Sequence, residues 1–380
     1  TGCAVVPLRK PVPEALVDEV TPSDMPLVRV WGDIKPKHYD QWYSLPQDEL
    51  KKRFPGIFGK SHAYLALSGG GADGAFGAGL LNGWTAAGNR PEFTIVTGIS
   101  TGSLIAPFAF LGPEYDPILK EIYTQNKTED LIESLYLVQL IGSQSLLNTA
   151  KLRKKIAQYM TPEVVRKIAV EHKKGRRLLI GTVNLDAARP VIWSVSKIAT
   201  LDRPEAVELI CDIMLASASI PGAFPPVYFK VRSENGETFD EMHVDGGTAN
   251  QVFLYPAGIN WGKAMKKLQV TGQPAAYVIR NTKISPVYEP VKPKLPMIAG
   301  RSISSLIRTQ GFGDIFQIYY TSQRDGVDFN LAYVPDSFDI ESKDFFDQNY
   351  MTQLYELGYR MAKDGYPWEK TPPGLGDAAR

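Results

Sequence analysis

At 380 residues the chain is long enough for one large α/β domain or two ordinary ones, so the domain count has to come from pattern. Apolar residues make up 44% and charged residues 22%, the averages of globular proteins, which excludes disordered, collagen-like and coiled-coil classes. Lys plus Arg number 42 against 41 for Asp plus Glu, and the resulting net charge of +1 sets up no field that would draw in nucleic acid.

The first residues, Thr1-Gly2-Cys3-Ala4, resemble the end of a bacterial lipobox, in which a signal peptide is cut before a cysteine that then carries lipid. Cys3 is therefore a lipidation candidate, and the Pro-rich polar stretch after it, through about Lys37, suits a tether. No stretch reaches the roughly 18 uninterrupted apolar residues of a spanning helix, so membrane contact is expected to be peripheral or through a lipid anchor. The expected location is a bacterial cell envelope, lipid-anchored or periplasmic. The other cysteine, Cys211, sits in the apolar helical run Glu208 to Leu215 and reads as a buried thiol.

Ala63 to Ser68 is a short apolar run ended by glycines, and Gly74 to Ala87 carries small and apolar residues at helical spacing. The pattern repeats at once, with Phe93 to Thr97 as a strand, Gly98 to Gly102 as a tight turn and Ser103 to Leu111 as a helix. Two successive β-turn-α units imply a largely parallel sheet. Asp116 to Lys174 reads as mostly helical. Arg177 to Leu185 reads as a central strand with Val191 to Val195 as its antiparallel neighbour, and Arg189-Pro190 falls in the turn between them. A helix is expected over Pro204 to Ala216, and strands over Phe239 to Asp245 and Ala275 to Arg280. The four prolines of Ser285 to Pro296 mark a surface loop. Helices follow at Arg301 to Arg324 and Asp344 to Lys363, with a strand near Phe329 to Val334 between them. This gives an extended segment over residues 1–59, one α/β domain over 60–365 and a tail over 366–380.

Three places carry chemistry. Gly98-Ile99-Ser100-Thr101-Gly102 is a Gly-x-Ser-x-Gly motif, for which 33 glycines and 21 serines predict about 0.16 chance matches. Its context is what counts: Ser100 falls at a sharp strand-to-helix turn, where Gly98 and Gly102 leave room for a strained backbone that exposes the hydroxyl. Upstream, Gly69-Gly70-Gly71-Ala72-Asp73-Gly74 also joins a strand to a helix. It lacks the lysine of a P-loop and the spacing of a dinucleotide fingerprint. Read beside Ser100, it supplies backbone N–H donors for an oxyanion hole, with Gly70 and Gly71 as the donors. The third place is Asp245-Gly246-Gly247, at a strand end.

Together these motifs, in this order and spacing, resemble the patatin-like phospholipase family, and Ala216 to Val227 looks like that family's Pro-rich turn between nucleophile and aspartate. The resemblance spans roughly Ala63 to Asn250. It implies a three-layer α/β fold whose central, mostly parallel sheet is flanked by helices, with a catalytic Ser100–Asp245 dyad and no histidine. Asp245 would take the Ser100 proton, an acyl-enzyme would form, and water would release it. The implied substrate is a lipid or acyl ester, either a phospholipid or a lysolipid or neutral ester. Acyl transfer on the same dyad and a non-catalytic lipid-binding envelope protein are the alternatives.

Where the family's loop carries Arg or Lys, this chain has Asp73, and a carboxylate there disfavours phosphate. An aspartate of ordinary pKa is a weak base, so placement and the oxyanion hole are expected to supply most of the rate. Of the four histidines, His38, His62 and His172 have no catalytic setting. His243 shares a strand face with Asp245 and is expected to be a packed strand residue. Too few His and Cys are present for a metal site, and no cofactor is expected. The aromatic run Phe312 to Tyr320 reads as helix core and Lys151 to Lys155 as a solvated helix face.

Overall fold

A computed structural model of the chain describes residues 9–22, 25–36, 39–134, 145–256, 258–288 and 290–375. The lipidation candidate Cys3 and His38 lie outside the described residues. Two short strands, β1 (Thr21–Pro22) and β2 (Arg29–Trp31), precede β3 (Ala63–Leu67), β4 (Ile95–Gly98), β5 (Arg177–Asn184), β6 (Arg189–Ser194), β7 (Val227–Arg232), β8 (Thr238–Asp245), β9 (Ala275–Arg280) and β10 (Asp328–Tyr333). All ten belong to one sheet. Strands β5, β4, β3, β9 and β10 lie side by side and parallel. Antiparallel pairing adds β6, β8, β7, β1 and β2.

Helices cover both faces, as a sheet with parallel crossovers requires. We label five: α1 (Gly74–Ala86), α2 (Thr101–Leu111), α3 (Pro204–Ser217), α4 (Leu295–Asp325) and α5 (Gln348–Lys363). The two-residue period of β3 sends Leu65 and Leu67 into one core with α1, α2, α3 and α5. Tyr64 and Ala66 point the other way, into a second core with Ile315 and Ile318 of α4. Helices α1 and α5 touch backbone to backbone. A Cβ on Gly79 would lie 2.0 Å from the Tyr355 carbonyl oxygen, and one on Gly83 2.1 Å from that of Tyr359. No described helix is long and apolar enough to cross a membrane.

The register of β5 builds the site. Its residues 179–184 pair with β6 along one edge. On the other edge its first half pairs with β4, Gly98 opposite Ile180, and its second half with β8, Asp245 opposite Thr182. Strands β4 and β8 therefore approach end to end along one edge and stop on either side of Gly181. That convergence brings the chain after Gly98 against the end of β8, although almost 150 residues separate them.

The segment read as a tether does more than connect. β1 pairs with β7 and β2 with β6, and Arg29 of β2 forms a buried two-pronged ion pair with Glu241 of β8. At the other end, Trp368 packs on Trp84 and Tyr277, and Glu369 bridges Leu331. Pro190 is not in a turn but inside β6, opposite Val183; the turn is residues 185–188. Helix α4 starts at Leu295, earlier than the proline pattern suggests, because Pro296 occupies its first turn, where a missing N–H costs nothing. β7 is an element the sequence reading lacked. Within the stretch read as helical, residues 135–144 lie outside the described residues.

Candidate active site

Ser100 sits between β4 and α2 with φ 54° and ψ −126°, a left-handed conformation costly for a non-glycine residue. The neighbouring glycines make the turn possible. A Cβ on Gly98 would lie 2.4 Å from the Gly102 carbonyl oxygen, and one on Gly102 2.4 Å from that of Leu67. The turn is also tied from below. The Ser100 N–H donates to Ser217 Oγ (3.0 Å), which itself donates to the Gly181 carbonyl (2.7 Å). Ser103 Oγ donates to the Ser100 carbonyl at 2.7 Å. The serine is 7% exposed and heads α2, whose N-terminus favours negative charge developing nearby.

Asp245 ends β8 at 5% exposure. Its carboxyl accepts a hydrogen bond from the Gly247 N–H at 2.7 Å and lies beside the Ser100 hydroxyl. Burial pushes its pKa up to about 7, and the neighbouring Ser100 hydroxyl and the Gly247 N–H only partly oppose that. The expectation of a base with an ordinary carboxylate pKa is therefore corrected. Gly246 fits because its Cα side faces the Gly181 carbonyl, where a Cβ would come within 2.5 Å.

The glycine loop lies directly against Ser100: a Cβ on Gly69 would be 3.2 Å from Ser100 Cβ. The Gly69 N–H is occupied by the Gln251 carbonyl at 3.0 Å. Gly70 and Gly71 have φ of 151° and 57°, and among the described residues their N–H groups meet no protein acceptor. Gly74 passes under Thr101, where a Cβ would lie 2.2 Å from Thr101 Oγ1. The loop is clamped by Asn281, just past β9: its N–H and Nδ2 donate to Ser68 Oγ (2.9 Å) and the Ser68 carbonyl (2.7 Å), and its Oδ1 accepts from Gly77 N–H (3.1 Å). On the other side Gln251 Nε2 donates to the Gly247 carbonyl at 2.7 Å. The sequence reading missed Asn281 and Gln251, which belong to no short motif. Ser217 lies in the family-like stretch but was given no role.

Asp73 is not an isolated carboxylate. It accepts from Tyr350 Oη at 2.6 Å, and burial raises its pKa to about 6, against the lowering effect of that bond and of Arg280 and Lys283. Arg280 is 3% exposed, its guanidinium lies against Gly311, and Asp314 is its other nearby carboxylate. A cation thus reaches this region from β9 instead of from the glycine loop.

His243 is fully buried. Nδ1 lies 2.9 Å from Thr182 Oγ1, Nε2 lies 3.1 Å from Glu241 Oε2, and the ring packs on Trp193 and Phe229. Both nitrogens are engaged. In the 312–320 run, Ile315 and Ile318 form the core stripe, while Tyr320 is exposed.

The family model for patatin-like phospholipase matches residues 65–257. Among curated proteins, the chain is 32% identical over 78 residues to "Probable inactive patatin-3-Kuras 1" and 31% identical over 78 residues to "Patatin-2-Kuras 4", both of Solanum tuberosum. The aligned stretch is 20% of this chain and 20% of each relative. Among solved structures, VipD from Legionella pneumophila matches with a TM-score of 0.34 and 13% identity, over 80% of this chain and 67% of that one. Since the family model takes in both strand–glycine–helix units and the strand ending at Asp245, and so half of the chain, the protein belongs to the patatin-like phospholipase family.

Proposed function

We propose that the protein is a lipid acyl hydrolase in which Ser100 attacks a carboxylic ester, Asp245 takes its proton, and the Gly70 and Gly71 amides hold the oxyanion. The observation that carries this reading is the strained Ser100 set beside a buried carboxyl whose pKa is about 7. A base poised there is largely ionised just above neutrality, yet still basic enough to accept a proton in the transition state. Attack breaks the Ser100 O–H bond and forms a bond to the acyl carbon. Collapse then expels the alcohol, protonated by Asp245, and leaves an acyl-enzyme for water to cleave. An apolar cavity of about 50 Å³, walled by Leu104, Ile122, Met214, Phe346 and Met351, lies beside Thr101 and has room for only a short part of an acyl chain.

Contact with a lipid surface is part of the same proposal. The first turns of α4 and the loop before it expose Tyr288 (90%), Leu295 (80%), Ile303 (53%) and Leu306 (69%). Between Pro290 and Gly313 stand four cationic and no acidic residues, the composition of a helix that lies on anionic lipid. A lipid on Cys3 would reinforce this at a cell envelope, and metabolic palmitate labelling that depends on Cys3 tests it.

Hydrolysis of short-chain p-nitrophenyl esters, then of lysolipid, phospholipid and neutral ester in parallel, tests the chemistry. Ser100→Ala and Asp245→Ala are expected to remove activity and His243→Gln to keep it. Near wild-type cleavage by Asp245→Ala with loss in His243→Gln would overturn the dyad. Transfer of the acyl group to added alcohol in preference to water would assign the chain to acyl transfer instead.

A further inference from the structure

A large apolar cavity lies away from Ser100. It measures about 360 Å³, within the range of small-molecule sites, and sits between the sheet and the segment that precedes β3. Ile95, Leu179 and Ile192 form its floor on three neighbouring strands; Trp42, Phe54 and Trp261 are among the residues of its walls and roof. Leu179 belongs to a strand paired on both edges and still keeps partial exposure, because it faces this chamber.

One lining group does not belong in an apolar chamber. Arg177 opens β5, stands over the Phe54 ring at 5.4 Å, and donates only to the backbone carbonyls of Arg176 (2.8 Å) and His172 (3.2 Å). Three other sequestered arginines have carboxylates: Arg29 has Glu241, Arg90 has Asp116 and Arg176 has Glu171. Among the described residues no carboxylate pairs with Arg177. Its charged neighbours are instead Lys197 and the His172 ring, both of which its positive charge disfavours in their own charged forms. Burial lowers the Arg177 pKa to about 10, the mark of a cation lacking its counter-ion.

We propose that this chamber binds a long-chain fatty acid, the single alkyl chain lying over Ile95, Leu179 and Ile192 and the carboxylate pairing with Arg177. A carboxylate matches a guanidinium fork with two parallel hydrogen bonds, and an apolar chamber of this volume takes one chain more readily than a two-chain lipid. The site is distinct from the catalytic one. Arg177 is in register with Ile95 at the start of β4, five residues before Ser100, or roughly 16 Å by strand rise. The inference does not rest on the hydrolase reading.

The test uses the full chain carrying Ser100→Ala, so that binding is measured without turnover. Dodecanoate and dodecanol, both kept below aggregation, are titrated by calorimetry, and a brominated dodecanoate by quenching of tryptophan fluorescence, since Trp42 and Trp261 line the chamber. Dodecanoate is expected to bind at least about tenfold more tightly than the alcohol. Arg177→Met should bring the acid down to the alcohol's level, and Leu179→Trp, which fills the floor, should remove binding of both. Should Arg177→Met not fold, the acid-to-alcohol ratio and Leu179→Trp still decide. Equal binding of acid and alcohol, no binding, or binding untouched by Leu179→Trp overturns the proposal. Failure of Ser100 to react with ester-mimicking inhibitors would count against the hydrolase reading alone.

Discussion

Asp245 concentrates the electrostatics of the site in one group. Because its folded pKa of about 7 lies above the unfolded value, ionising it in the native protein costs stability, a penalty that begins above the unfolded pKa and is complete past about 7. As the proposed base, Asp245 is active only when ionised, so kcat/KM is expected to fall about tenfold per pH unit below neutrality. Asp245→Asn should remove the rate yet raise Tm at pH 8, since it removes a buried charge worth on the order of a few kcal/mol. A flat pH–rate profile from 5 to 8, or a lower Tm for the variant at pH 8, would count against this. Asn281 makes a different prediction. Its three hydrogen bonds fix the loop that presents Gly70 and Gly71. Asn281→Ala should lower kcat about tenfold or more with little change in KM, because only the transition state uses those amides; a pure KM effect would assign Asn281 to substrate binding.

At the scale of elements, the strand–turn–helix units around Gly69 to Gly74 and Gly98 to Gly102 were legible because apolar periodicity changes sharply at glycines. So were β8 and β9, which are short, β-branched or aromatic and well bounded. β7 was not: Phe229 and Val231 alternate with Lys230 and Arg232, but over too few residues to stand apart from the Pro-rich turn before it. The tether reading failed at β1 and β2 because two- and three-residue strands are made by the partners they find, here β7 and β6, and leave no pattern of their own. In the site, motif residues could be read directly, whereas Asn281 just past β9, Gln251 in the loop after β8 and Tyr350 on a late helix are brought to the site only by the fold. Gly79 and Gly83 were read merely as small helix residues. They set the distance between α1 and α5, and Gly79→Ala or Gly83→Ala should each cost about 1–3 kcal/mol in urea denaturation. Unchanged midpoints would mean that the two helices have room to part.

On the scale of the whole molecule, the features that the proposed function uses are distributed around one sheet. The proposed nucleophile and base lie where β4 and β8 meet, a small apolar cavity lies beside Thr101, and the basic, apolar start of α4 stands exposed. Binding to phosphatidylglycerol vesicles should exceed binding to phosphatidylcholine vesicles and weaken with salt, and Ile303→Asp with Leu306→Asp should reduce it at least about tenfold. Vesicle binding indifferent to these changes would place the membrane contact elsewhere. The claim on which the account turns is that Ser100 is the nucleophile. Intact-mass and peptide analysis after exposure to a fluorophosphonate tests it most directly: the account predicts a single adduct, mapped to Ser100, absent from Ser100→Ala and slow to form in Asp245→Asn. A folded wild-type protein that takes no adduct, or takes it on another residue, would contradict it.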